Sequence, residues 1–86
     1  MTNVSSDSQP RYVERSYLVT AFEKYLALYE IDAIKLSIAA QVRYLTIYNA
    51  KQGNPITPEN AQKIKETVLK LTGVAYTGSF NLLQYS

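Results

Sequence analysis

The spacing of apolar residues along the chain predicts a series of short helices. The first is expected to start between Pro10 and Tyr17 and to run to about Tyr29. Its apolar stripe recurs at helical intervals and consists of Leu18, Ala21, Phe22, Tyr25, Leu28 and Tyr29. Asp32 is well placed as the N-cap of a second helix, AIKLSIAAQ, with Ile31 as the preceding staple residue. The apolar residues expected to face inward there are Leu36 and Ala39 or Ala40.

A tight turn at Val42 then leads into a third helix, over about Tyr44 to Lys51. Gly53 is placed to end that helix, since a glycine readily adopts the left-handed backbone found there. The sequence Thr57-Pro58-Glu59 predicts the start of a fourth helix, with threonine as N-cap and proline at the first helical position. This helix should run to about Thr72 and stop at Gly73. Its expected inward residues are Ala61, Ile64, Val68 and Leu71.

The two ends of the chain differ from this pattern. Residues 1–10 are polar without periodicity, which is typical of a disordered arm. Residues 74–86 contain the partly alternating segment FNLLQY, which predicts an extended segment or a short strand. The expected organisation is therefore an arm over 1–10, one all-α domain over 11–73, and an extended tail over 74–86.

Composition narrows the classes of function. The chain has 86 residues, enough for one domain with a modest core, and neither cysteine nor histidine. Thiolate and imidazole metal ligands and the usual general base near neutral pH are thereby excluded, and we expect no metal, no cofactor and no enzyme activity. No apolar run is long enough to span a membrane, and Met1 to Pro10 lacks the apolar stretch of a signal peptide. A small cytoplasmic protein without a membrane partner is expected.

The charges are unevenly distributed. Between Ala33 and Pro58 the only charged residues are Lys35, Arg43 and Lys51, and all acids lie outside that window. A segment free of acids favours contact with phosphate groups. Three charges are also few enough for this distribution to arise by chance.

The segment IDAIKLSIAAQVRYLTIYNAKQG resembles the DNA-binding core of the Cro and phage-repressor family. The matching positions are Ile31, Asp32, the pair Leu36-Ser37, Val42, the pair Thr46-Ile47, and Gly53. The resemblance implies a lambda-repressor-like helix-turn-helix bundle of four or five helices. Three positions depart from the pattern: Gln41 stands for a turn glycine, Ser37 for a close-packing alanine, and Arg43 for a serine cap. A left-handed backbone at Gln41 would cost about 1 kcal/mol.

With Ile47 pointing inward, the third helix would present Leu45 and Asn49 outward and Thr46 and Tyr48 at the sides. The residues expected to contact bases are Tyr44, Leu45, Tyr48 and Asn49. An Asn amide can pair with adenine, and a leucine can contact a thymine methyl group. The alternatives are that Asn49 is an ordinary exposed polar residue, that Tyr44 belongs to the core, and that Leu45 packs on an aromatic of helix one or on a partner subunit.

Phosphate contacts are expected around the same helix. The candidates are Lys35, Arg43, Thr46, Lys51, Asn54 and Thr57. For each lysine the alternative is a solvated surface charge.

The resulting expectation is a regulator of transcription that binds double-stranded DNA as a homodimer, a repressor of phage or plasmid type controlled by its own concentration or by a partner protein. The expected dimerisation residues are Phe80, Leu82, Leu83 and Tyr85, which are too apolar to be left in water. The alternative is that this tail packs on its own helices. A second functional hypothesis is a protein with the same fold that does not bind DNA, such as a protein-interaction adaptor or an antirepressor-like module. Tyrosine-rich surfaces are also typical of protein interfaces.

Overall fold

The structure is a computed structural model that describes residues 19–83. Within that range the chain forms four α-helices joined by short connections. They are α1 (Ala21–Leu28), α2 (Ala33–Ala40), α3 (Tyr44–Gln52) and α4 (Pro58–Thr72). The expectation of an all-α domain is confirmed for these residues, while the arm predicted over 1–10 and the tail residue Tyr85 lie outside them.

Helix α1 begins later than the sequence pattern predicts. Thr20 has an extended backbone, and its hydroxyl oxygen accepts a hydrogen bond from the Glu23 N–H at 3.0 Å, so Thr20 is the N-cap of this helix. The predicted start between Pro10 and Tyr17 is therefore wrong. The same hydroxyl donates to the Lys51 carbonyl at 2.8 Å, which ties the start of α1 to the last turn of α3.

Helices α2 and α3 are separated by only three residues. Asp32 caps α2 as predicted, with its carboxylate accepting from the Lys35 N–H at 3.0 Å. The helix ends at Gln41, whose φ of 60° is left-handed, and the next N–H, that of Val42, donates to the Ser37 carbonyl. The left-handed turn inferred at Gln41 is present although the residue is not glycine. Arg43 is the N-cap of α3, and its side chain makes no capping hydrogen bond.

The ends of the last two helices follow the predicted signals. Gly53 is left-handed, with a φ of 82°, and ends α3 one residue later than expected, after Gln52. Thr57 caps α4 by accepting from the Asn60 N–H at 3.0 Å, and Pro58 occupies the first helical position. Gly73, with a φ of 77°, ends α4 after Thr72 as predicted.

One hydrophobic core joins all four helices. Helix α2 packs against both α3 and α4, and α1 packs against α3. The buried residues of the helices are Phe22, Leu26, Leu36, Ser37, Ala40, Ile47, Ala50, Ala61, Ile64 and Val68. Ser37 is accommodated because its hydroxyl donates to the Ile34 carbonyl at 2.6 Å.

Three residues predicted to lie on inward apolar stripes are exposed: Ala21 at the start of α1, and Leu28 and Leu71 at helix ends. Leu28 is 73% exposed and Leu71 is 55% exposed. Each lies in the last turn of its helix, where the chain leaves the core, and Leu26 fills the place on α1 that the predicted stripe assigned to other residues. Of the two alternatives on α2, Ala40 is the buried one and Ala39 is exposed.

The tail folds back over this core. Tyr76 is buried, and the Phe80 ring lies 4.9 Å from the Phe22 ring, centroid to centroid, in an edge-to-face arrangement. The Ile56 N–H donates to the Asn81 carbonyl at 2.9 Å, and the Leu83 N–H donates to the Ile56 carbonyl at 2.8 Å. The tail is thus extended as predicted, and it pairs in parallel with Ile56 of its own chain.

Candidate nucleic-acid interface

Helix α3 is held in place from its inner side. Ile47 is fully buried and Ala50 nearly so, and both belong to the same core as Leu36 and Ala40 of α2. The Thr20 hydroxyl holds the Lys51 carbonyl at the other end of the helix. Because its inner side is fixed at both turns, α3 presents a defined set of side chains to its surroundings.

The outer side of α3 is unusually apolar for an exposed helix. Tyr44 is 51% exposed, Leu45 59% and Tyr48 44%. Residues three and four apart are neighbours on a helix, so these three side chains form one continuous surface, which we call the α3 outer face. The alternative that Tyr44 belongs to the core is wrong, since its side chain is 51% exposed, and Leu45 is also more than half exposed within the chain.

Asn49 lies at the edge of this face and is only half exposed. Its side-chain oxygen accepts a hydrogen bond from the Asn54 side-chain amide at 3.2 Å, and its carbonyl accepts from the Asn54 N–H at 2.8 Å. The structure thus brings together a residue expected to contact bases and one expected to contact phosphates. The contact orients the Asn49 amide and uses one of the two lone pairs of its oxygen.

The three basic candidates lie on α2, on α3 and in the turn between these helices. Arg43 precedes its first turn and is exposed, and the helix has no side-chain cap there. The first N–H groups of a helix have no partner within it, so Arg43 stands beside donors that favour an anion. Lys35 is exposed in the first turn of α2, while Lys51 is half-buried in the last turn of α3.

The remaining candidate donors are partly engaged. Thr57 is half-buried, and its hydroxyl oxygen accepts from the Asn60 N–H, which leaves the hydroxyl hydrogen free for another acceptor. Thr46 is half-buried at the side of α3, and Asn54 is exposed in the loop that follows it. Asn54 and Thr57 lie in the connection from α3 to α4, whereas Thr46 lies in the first turn of α3.

The candidate dimerisation residues divide into two groups. Phe80 is half-buried and packs on Phe22 and Tyr76 of its own chain, as in the alternative that the tail covers its own helices. Leu82 and Leu83 are 37% and 43% exposed beside the bridge to Ile56. Tyr85 lies outside the described residues.

Two features with a bearing on the site escaped the sequence analysis. Ile34 and Ile38 are 58% and 72% exposed and lie one turn apart on α2. Their spacing of four residues is visible in the sequence, but Leu36 and Ala40 have the same spacing. The sequence alone does not show which of the two pairs faces the core, and in the structure it is Leu36 and Ala40. The second feature is Thr20, whose bond to the Lys51 carbonyl joins residues far apart in the chain.

Comparison with known proteins gives no relative: no family model, no curated protein and no solved structure matches this chain. None of the helices in the described part is both long enough and apolar enough to cross a membrane. Among residues 19–83 there is also no group of three or more acidic, cysteine or histidine side chains placed to hold a metal ion.

Proposed function

We propose that α2 and α3 form a helix-turn-helix of the lambda-repressor type and that the protein binds double-stranded DNA in a sequence-specific manner. In this proposal α3 enters the major groove, which is wide enough for one α-helix. The observation that carries the proposal is the α3 outer face itself, which is exposed and free of acids on a helix whose inner side is fixed. Base edges carry no net charge, so an uncharged and rigidly held helix surface can lie against them without burying an unpaired charge.

The charges around α3 support the same partner. Arg43 and Lys35 are exposed at the starts of α3 and α2, and Arg43 is not used as a cap. The sequence between Ala33 and Pro58 has no acid that would repel a phosphate backbone. Phosphate contacts position a protein on duplex DNA, while contacts with base edges give it sequence preference. In this proposal Arg43 contacts phosphates, and Asn49 and the α3 outer face contact base edges.

A single small domain of this kind gains affinity and symmetry by dimerising, so that each α3 meets one half of a near-palindromic site. Leu82 and Leu83, which are apolar and partly exposed at the bridge to Ile56, are the proposed contact residues of the dimer. The proposed role in the cell is that of a transcriptional repressor of phage or plasmid type.

The test is a gel-shift titration with random duplexes and with duplexes selected from a random library, each at two salt concentrations. Binding should weaken steeply with salt, and Arg43→Ala should lower affinity for all sequences and reduce the logarithmic salt slope by about 1. Asn49→Ala should lower discrimination at one base pair by about 1–3 kcal/mol. Lys70→Ala, which removes an exposed charge in the last turn of α4, is the control and should leave both quantities unchanged.

The second candidate is a protein-interaction module with the same fold, such as an adaptor or an antirepressor-like protein. The observation that favours it is the exposure of Ile34 and Ile38 on α2, because exposed apolar side chains one turn apart are also typical of a protein interface. The two hypotheses differ in one measurement. Absence of binding to any duplex at low salt would overturn the proposal of DNA binding and favour the interaction module.

A further inference from the structure

The α3 outer face offers mainly carbon atoms to whatever it contacts. Leu45 is its most exposed member, at 59%. None of its three side chains is charged. On the same helix, the Asn49 amide is half-buried, and its oxygen already accepts a hydrogen bond from Asn54. The direct hydrogen-bonding capacity of this surface is therefore limited to two tyrosine hydroxyls and part of one amide.

The major-groove edges of the bases offer one kind of apolar group that such a surface could contact. Each base pair displays hydrogen-bond donors and acceptors, and only a pyrimidine methylated at C5 adds a methyl group. Thymine carries this group, and 5-methylcytosine carries the same group at the same position. Leucine carbons gain free energy by covering a methyl group, whereas they leave a base donor or acceptor without a partner.

From these observations we infer that the α3 outer face, through Leu45, reads the C5-methyl groups of pyrimidines in duplex DNA. This inference rests on the proposed function and names the chemical feature that the site selects. The choice of DNA as the partner of this apolar face rests on charge complementarity, since Arg43 is exposed directly before α3 and no acid occurs between Ala33 and Pro58.

The experiment uses the full chain and a duplex selected from a random library. Each thymine of the selected site is replaced in turn by uracil, which removes only the methyl group. At the positions that respond, cytosine and 5-methylcytosine are then compared. We expect each contacted methyl group to be worth about fourfold in Kd, the value for burying one such carbon group. A response to uracil alone assigns the contact to thymine, and a response in both comparisons assigns it to the methyl group of either base.

Two variants connect the effect to the residue. Leu45→Ala should bind thymine and uracil duplexes equally, because its side chain no longer reaches the methyl group. Leu28→Ala, which shortens a leucine that is 73% exposed on α1, should keep the fourfold preference. Circular dichroism verifies that both variants are folded.

The outcomes separate the inference from the proposed function. If the selected duplex is bound with high affinity and no uracil substitution changes Kd, the methyl inference is wrong and the proposal of DNA binding stands. If the preference persists in Leu45→Ala, the assignment to this face is wrong. If no duplex is bound at low salt, the proposed function fails, and the inference fails with it.

Discussion

Addition of a single methyl group at Gly78 should destabilise the fold substantially. A Cβ atom built on its backbone would overlap the hydroxyl and Cζ atoms of Tyr76 and would lie 3.0 Å from its Cε1 atom. The Tyr76 ring cannot simply retreat, because it is buried and packs at 5.3–5.4 Å, centroid to centroid, on the rings of Phe22, Tyr25 and Phe80. Gly78→Ala therefore forces an extra methyl group into a filled core.

We expect Gly78→Ala to lower the free energy of unfolding by about 1–3 kcal/mol, the usual cost of overpacking. For a domain of this size that corresponds to a fall in Tm of about 4–8 °C per kcal/mol. Urea unfolding followed by circular dichroism measures the first quantity, and a thermal scan measures the second. Gly78→Ala combined with Tyr76→Phe should destabilise by less than the sum of the two single changes, because the phenylalanine removes one of the overlapping atoms.

Gly73→Ala is the matched control for this prediction. Gly73 has no atom within 4 Å of an added Cβ, but its φ of 77° is left-handed. Its substitution should therefore cost only the backbone term, about 1 kcal/mol, and should show no coupling to Tyr76→Phe. If the free energy of unfolding of Gly78→Ala lies within about 0.5 kcal/mol of that of the unsubstituted chain, the described packing of the tail on the core is wrong.

Three further predictions concern other parts of the fold. Gln41→Gly should raise the free energy of unfolding by about 1 kcal/mol, because a left-handed φ of 60° strains a residue with a Cβ; a loss of stability in urea would contradict this. Thr20→Val should lower the free energy of unfolding by about 2 kcal/mol, since it removes both the α1 cap and the bond to the α3 carbonyl, whereas Thr67→Val, on the exposed side of α4, should change it little. Burial raises the pKa of Tyr76, so the neutral hydroxyl is the form that the folded state favours; its contribution to stability is complete below about pH 10 and is lost as the pH rises through the folded-state pKa. The loss of stability between urea titrations at neutral and alkaline pH should accordingly be smaller for Tyr76→Phe than for the unsubstituted chain.

Helix ends were the most predictable part of this structure. Asp32, Thr57, Gly53 and Gly73 act through hydrogen bonds and backbone angles within their own turn, so the residue type alone indicates the role. The start of α1 was mispredicted because the apolar stripe continues upstream of Thr20. A stripe shows which residues share a helical face, but it does not show where a cap interrupts the helix.

In the candidate interface, too, some features were predictable from the sequence and others were not. The sequence predicted that Leu45 would point outward and Tyr48 sideways, because a helical repeat fixes their directions once Ile47 is placed in the core. It left Tyr44 undecided, since its direction lies near the inner face and only the packing of the first turn determines its exposure. The contact between Asn49 and Asn54 also depends on the path of the loop after α3, which the helical repeat does not specify.

The sequence by itself determined the all-α class, the four helices of residues 19–83 and most of their core, because capping and helical periodicity act over a few residues. Only the tertiary structure decided which apolar residues remain exposed. Leu28, Leu71, Ile34 and Ile38 have the same chemistry and similar spacing as buried residues, and they differ from them only in whether another element covers them. The tail was decided in the same way: Tyr76 and Phe80 lie on the core because Phe22 and Ile56, far away in the chain, provide a surface and a backbone partner.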